Sequence, residues 1–225
     1  MSARRGHGPE SRDVAVIGLG RFGGQVAESL SRLRHGVLAI DIDQRRVQHW
    51  SSQLTQVVQA DGTDEAALRQ LGLPEFDRVV VAIGRSLDAS VLTVIALQEL
   101  GVTDIWARAT SAKHARILTA VGARRVLFPE AEMGERIAHL IVSRLLDYAE
   151  FGTDFAVAKT RTPARLVGRR IDEIPDDDRQ GVAIVGVHTS DDRFEYARPE
   201  VVIPPDGTLI VEGSIDQVQR FSVTD

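Results

Sequence analysis

Val14-Ala15-Val16-Ile17-Gly18-Leu19-Gly20-Arg21-Phe22-Gly23-Gly24-Gln25-Val26-Ala27 is the stretch whose reading decides the fold. An apolar, β-branched run feeds a glycine turn, and the turn opens a helix. Gly18, Gly20 and Gly23 have the spacing G-x-G-x-x-G. In a nucleotide-binding turn each has its own task. The first permits the tight turn, the second lets backbone approach a pyrophosphate, and the third lets helix pack closely on strand. The N–H groups at the helix start then face the phosphates. Phe22, Val26, Leu30 and Leu33 continue with helical periodicity, and Val37-Leu38-Ala39-Ile40-Asp41 reads as a second strand. That strand ends in an acid a little short of the offset of about 20 residues expected after such a turn. A bound adenine nucleotide is the expected ligand. Asp41 would accept hydrogen bonds from ribose hydroxyls and repel a 2′-phosphate, which disfavours NADP.

Strand and helix patterns continue to alternate outward from this turn. Gln56 to Ala60, Arg78 to Ile83, Asp104 to Ala109 and Arg125 to Phe128 read as strands three to six. Helices fall between them: one capped by Thr63 or Asp64, one from Leu87 to Leu100 and one from Ser111 to Val121. Continuous apolar strands separated by helices imply a parallel sheet covered on both faces. With the fingerprint at its first turn, the sheet is a Rossmann-type doubly wound one. A long helix is expected from Glu132 to Tyr148, on the apolar stripe Ile137, Leu140, Ile141, Leu145 and Tyr148. It either packs on its own sheet or is a dimerising or domain-crossing helix.

The pattern changes beyond that helix. Residues 152–225 suggest strands at Phe155 to Lys159, Gly181 to Val187, Phe194 to Ala197 and Thr208 to Glu212. They also suggest helices near Leu166 to Ile174 and Ile215 to Phe221. This is an α+β unit, so the expected organisation is a flexible tail at 1–12, a nucleotide domain at 13–151 and a small C-terminal domain at 152–225. Such a small unit is expected to lean on an interface for stability. The triplet Asp176-Asp177-Asp178 reads as a solvated loop.

Composition narrows the function classes. The 225 residues are 43% hydrophobic with a net charge of −5, and no basic stripe marks a nucleic-acid partner. There is no cysteine, which excludes thiol catalysis and thiolate metal sites and fits a reducing compartment. No charged start followed by an apolar core suggests a signal peptide. No apolar run approaches the roughly 18 residues of a membrane span. The chain is therefore expected to be soluble and to reach a membrane only through a partner.

Several motifs together resemble a known family. Gly18-Leu19-Gly20-Arg21-Phe22-Gly23-Gly24, Asp41-Ile42-Asp43, Ala82-Ile83-Gly84, Ile105-Trp106-Ala107-Arg108-Ala109 and Pro129-Glu130-Ala131-Glu132-Met133-Gly134 are similar to those of the RCK (regulator of K⁺ conductance) proteins. Within that family they resemble the TrkA-type regulatory subunits of the KtrA kind. The Arg-Phe-Gly-Gly turn and the Pro-Glu-x-x-Met-Gly motif carry most of the specificity.

The resemblance implies a cytoplasmic, non-enzymatic regulator of potassium transport. Such proteins form homo-octameric rings, built from dimers, beneath a separate K⁺-translocating membrane subunit. ATP favours the conducting state and ADP the inactive one. By the motif match, Arg21 reaches the terminal phosphate beside Phe22. Asp41, Ile42 and Asp43 lie on the ribose side, and Asp61 and Gly62 on the adenine side. Ile83, Gly84, Arg85 and Ser86 form a phosphate-side loop. Arg108, Ala109, Thr110 and His114 add further nucleotide contacts, and Glu130 helps hold Mg²⁺ or Ca²⁺ near the γ-phosphate. Asp61-Gly62 departs from the Asn-Ala type of pair expected there, and Arg108 stands where lysine is also seen.

The residues themselves agree in chemistry. An arginine inside the turn puts a fixed positive charge where phosphates sit. Two other functions compete. One is an NAD-dependent oxidoreductase, which would need a substrate domain and a proton-handling residue; the histidines are scattered and residues 152–225 are few for such a domain. The other is a module whose second domain senses a cyclic dinucleotide such as c-di-AMP.

Overall fold

A computed structural model describes residues 13–189 and 193–223; the tail expected at 1–12 lies outside the described residues. The glycine turn sits where the sequence places it. β1 (Val14–Ile17) leads into α1 (Arg21–Arg32), then β2 (Val37–Asp41), α2 (Gln44–Ser51), β3 (Val57–Gln59) and α3 (Glu65–Gln70). The second half runs β4 (Arg78–Val81), α4 (Leu87–Glu99), β5 (Ile105–Arg108), α5 (Ala112–Ala120) and β6 (Arg125–Leu127). These strands form one parallel sheet in the order β3-β2-β1-β4-β5-β6. The order reverses between β1 and β4, which opens a crevice at the C-terminal ends of those strands.

The strands read as apolar runs because both faces are covered. Val14 to Ile17 and Val37 to Asp41 are buried throughout. One face packs Ile17, Ile40, Val79 and Ile105 against Leu68, Val94, Leu97 and Leu118. The other packs Val14, Val16, Ala39 and Val80 against Ala27, Trp50 and Leu54. Side chains alternate across each strand, so neighbouring residues feed different cores.

The second compact unit begins at Glu130. It holds α6 (Pro129–Val142), β7 (Leu145–Phe151), β8 (Phe155–Arg161), α7 (Asp176–Arg179), β9 (Ala183–His188), β10 (Phe194–Tyr196), β11 (Thr208–Ser214) and α8 (Ile215–Val223). Its five strands form an antiparallel sheet in the order β10-β9-β11-β8-β7. Tyr148, Ala158, Val187, Leu209, Val211, Val218 and Phe221 are among the residues of its core.

Three expectations about secondary structure are corrected here. The helix expected to run from Glu132 to Tyr148 ends at Val142, and residues 145–151 are a strand. The Ser143 hydroxyl donates to the His139 carbonyl and accepts from the Leu145 N–H, which turns the chain out of the helix. β7 then pairs with β8 through a hairpin at Gly152 (φ 72°). Leu145 and Tyr148 are buried as strand residues of the second core. Phe151-Gly152-Thr153 lies at the tip of this hairpin, and the compact units divide after Pro129.

The helix expected near Leu166 to Ile174 is two 3₁₀ turns, Ala164–Leu166 and Ile171–Glu173. Gly168 separates them at φ 76°, and its N–H donates to the Ile203 carbonyl while Ile171 donates to Val201. Backbone pairing with residues 201–203 has displaced helical bonding. The acidic triplet, read as loop, forms α7, with Asp178 bonded to Arg169 at 2.6 Å.

Candidate functional site

The three fingerprint glycines meet different surroundings. Gly18 adopts φ 99°, a conformation that disfavours any side chain, and an added Cβ would lie 3.1 Å from the Ala82 carbonyl carbon. At Gly23 a Cβ would overlap the Gly18 carbonyl oxygen and come within 2.7 Å of the Ala82 Cβ. Those two glycines are required by the protein itself. Gly20 is not: its φ of −70° and ψ of −169° suit any residue. A Cβ there would meet only the Arg46 guanidinium, at 3.9 Å. The space in front of Gly20 is thus kept open by backbone, as close approach of a ligand needs.

Gly20 is also the N-cap of α1. No side chain caps this end and no acid stands in its first turn, so the N–H groups there present a positive dipole end. Arg21 follows, exposed, with Phe22 half-buried behind it.

Asp41 is 4% exposed at the end of β2. Its Oδ2 accepts the Leu19 N–H at 2.6 Å and an Arg46 N–H at 3.1 Å, and Oδ1 accepts the Asp43 N–H at 2.8 Å. The carboxylate therefore ties the glycine turn to the next strand. Asp43 caps α2 by accepting from the Arg45 N–H, and Ile42 is exposed between them.

Trp50 and Arg46 are site residues that sequence reasoning missed. The Trp50 indole N–H donates to the Leu19 carbonyl at 3.1 Å, and its ring fills the place a side chain at Gly24 would need. The adjacent pair Gly23-Gly24 was the available signal: the second glycine lies outside the fingerprint and calls for a bulky neighbour.

The remaining expected residues follow strand ends. Asp61 folds its loop by accepting from both N–H and O–H of Thr63. Gly62 is buried, and a Cβ there would come 2.7 Å from Ile17 Cγ2 and 3.1 Å from Thr93 Oγ1. Packing against β1 and α4 thus explains the glycine at this departure from the family pattern. Ile83 and Gly84 are half-buried, Arg85 is exposed, and Ser86 caps α4 by accepting the Ala89 N–H at 3.0 Å. The Arg108 guanidinium lies against Gly84 so closely that a Cβ would overlap it, which joins the β4 and β5 loops.

Ala109 is 1% exposed and donates its N–H to Leu127. His114 is also 1% exposed. Its Nδ1 accepts the Thr110 N–H at 3.3 Å, so it shapes the loop from beneath. Burial pushes its pKa below the ordinary value and favours the neutral ring.

The structure thus gathers Gly18 to Gly23, Asp41 to Asp43, Ile83 to Ser86 and Arg108 to Thr110 at the C-terminal ends of β1, β2, β4 and β5. Asp61 and Gly62 follow β3. Glu130 is exposed in the first turn of α6, in the second unit.

A doubly wound sheet with an open glycine turn and an acid at the end of β2 defines a Rossmann-type nucleotide fold, here joined to a small antiparallel unit. Residues 14–129 match the TrkA-N domain. The chain is 37% identical over 211 residues to the Ktr system potassium uptake protein C of Bacillus subtilis (strain 168), across 93% of this chain and 96% of that protein. It is 33% identical over 213 residues to the Ktr system potassium uptake protein A of the same organism, across 94% and 96%. The GsuK channel bound to NAD shares the fold, with a TM-score of 0.65 and 17% identity over 95% of this chain and 39% of that one. The chain belongs to the TrkA-N family, among the Ktr system potassium uptake proteins.

Proposed function

We propose that this protein is the cytoplasmic regulatory subunit of a potassium uptake system. It binds ATP or ADP at the glycine turn and controls K⁺ flux through a separate membrane subunit, without covalent chemistry of its own. The observation that carries the reading is the open Gly20 turn tied to Asp41, in a chain similar throughout its length to Ktr potassium uptake proteins. Among the described residues no helix is long and apolar enough to cross a membrane, so a partner supplies the pore.

The nucleotide acts through a ring. Moving a two-state gate from 1:99 to 99:1 takes about 5.5 kcal/mol of differential binding. One extra phosphate, met by Arg21 and a cation, contributes roughly 1 kcal/mol per site, at the low end of allosteric couplings. One site is too weak, whereas eight coupled sites of an octamer supply about 8 kcal/mol. Glu130 is an exposed carboxylate and offers a hard oxygen suited to Mg²⁺ or Ca²⁺.

The test combines calorimetry with ATP, ADP, NAD and NADP, solution scattering, and K⁺ flux in vesicles carrying a Ktr-type membrane subunit. ATP and ADP bind more tightly than NADP, the protein is a ring, and flux differs between the two nucleotides. Mg²⁺ raises ATP affinity more than ADP affinity, and Glu130→Gln removes that difference. A monomer with both nucleotides, or flux indifferent to which one is present, refutes the reading.

A further inference from the structure

Glu135 and His139 stand one helical turn apart on α6, and Glu150 lies on the neighbouring β7. One ligand atom from each lies within 4.8 Å of the other two. His139 Nε2 is 3.8 Å from Glu150 Oε1. We propose that these three residues form a site for a divalent first-row transition ion such as Zn²⁺. The site lies wholly in the second unit and is independent of the nucleotide turn.

The donor set selects the ion. Mg²⁺ and Ca²⁺ take oxygen ligands, whereas an imidazole nitrogen favours zinc, nickel or copper. Tetrahedral Zn²⁺ with ligands at about 2.0–2.1 Å needs its donors about 3.3 Å apart. The His139–Glu150 separation of 3.8 Å exceeds that by about 0.5 Å, and the other two, within 4.8 Å, by at most about 1.5 Å. Glu135 is exposed, so a rotamer adjustment of its side chain closes the gap while Glu150 stays bonded to Tyr148.

His139 is supported from outside the cluster. Its Nδ1 is 3.3 Å from the side-chain amide nitrogen of Gln219 on α8, and its ring leans on Tyr148 with centroids 4.6 Å apart. A 180° flip of that amide, which exchanges its nitrogen and oxygen, offers the carbonyl to Nδ1–H and leaves the Nε2 lone pair on the side of the carboxylates. Outer partners of this kind orient metal-bound histidines.

Tyr148 positions the second carboxylate. The Tyr148 hydroxyl, on a residue 3% exposed, donates to Glu150 at 2.7 Å. That donated hydrogen bond holds the Glu150 carboxylate in place beside His139. A concavity of about 370 Å³ opens onto the two carboxylate ligands, Glu135 and Glu150, between Glu132 and Tyr148. Arg136, on the same rim, is paired with Asp147.

The experiment titrates Zn²⁺ into full-length, chelator-treated, nucleotide-free protein by calorimetry, with Mg²⁺ as competitor. One Zn²⁺ binds per chain, and equimolar Mg²⁺ does not displace it. His139→Gln, Glu135→Gln and Glu150→Gln each weaken binding at least about tenfold, and Gln219→Leu weakens it about 10–100-fold. His49→Gln, on α2, leaves it unchanged. Thermal melts separate loss of fold from loss of site: Zn²⁺ raises the melting temperature of the wild type and not of folded His139→Gln. Absence of Zn²⁺ binding, unchanged affinity in His139→Gln, or displacement by equimolar Mg²⁺ overturns the proposal.

Discussion

Alanine at Gly20 and at Gly23 separates ligand binding from folding within a single turn. At Gly23 the new methyl would overlap the Gly18 carbonyl oxygen and press on Ala82 at 2.7 Å. Both neighbours are well packed, since Ala82 is 4% exposed and Gly18 is buried. Overpacking of this kind costs about 1–3 kcal/mol. For a chain of this size each kcal/mol lowers the melting temperature by roughly 2–4 °C, so Gly23→Ala falls by about 2–12 °C. At Gly20 the methyl meets only the Arg46 guanidinium, at 3.9 Å, in a backbone conformation that alanine accepts. A compatible Gly→Ala change stabilises by about 0.4–1 kcal/mol through the unfolded chain. Alanine is a poorer N-cap than glycine, which offsets that gain, so Gly20→Ala melts close to the wild type. Its nucleotide affinity still falls. The methyl stands between backbone and pyrophosphate, and losing one hydrogen bond to a charged group costs about 1.5–3 kcal/mol, a loss of roughly 10–150-fold. Differential scanning calorimetry and ADP titration of the two variants read both effects. A Gly20→Ala protein that binds ADP like the wild type refutes the placement of the phosphates, and a Gly23→Ala protein of wild-type stability refutes the packing argument.

Two further outcomes follow from carboxylates. Asp41→Ala weakens ribose-bearing ligands by about 1–3 kcal/mol, read as the ratio of ADP affinities in the two proteins; equal affinity removes Asp41 from the ribose side. Asp104 meets opposing influences. Burial resists its charge, but the Arg78 guanidinium and the Trp106 indole N–H outweigh burial and hold its carboxyl below the ordinary 3.8. A lowered carboxylate pKa contributes stability that is complete above the ordinary value and lost as pH falls below it toward the folded value. Asp104→Asn therefore costs about 1–2 kcal/mol at pH 7, with Arg78 partly in water keeping the figure small. It also flattens the decline in stability below pH 4. Urea melts at pH 7 and pH 3 check this, and a variant that loses equal stability at both values contradicts it.

What the sequence determined by itself is local. The strand, turn and helix around Gly18 to Gly23, the acid at the end of β2 and the alternation that builds a parallel sheet depend on glycine conformation and apolar period. Neighbouring residues specify both. The family motifs carried the site residues as far as their positions on strand ends.

Only tertiary structure decided which glycine the fold requires and which it leaves open, because that depends on what faces each Cβ. Gly23 meets Gly18 and Ala82, whereas Gly20 meets little but Arg46. Packing likewise turned His114 into a buried support for Thr110, and Trp50 into the clamp on Leu19. The apolar stripe from Ile137 to Tyr148 shows the limit most clearly. Its spacing fits one long helix, yet Leu145 and Tyr148 gain more as strand residues, since β8 satisfies their backbone and a second core buries their side chains. Periodicity records which residues seek burial. The partner that buries them lies far along the chain, and it is the partner that chooses between helix and strand.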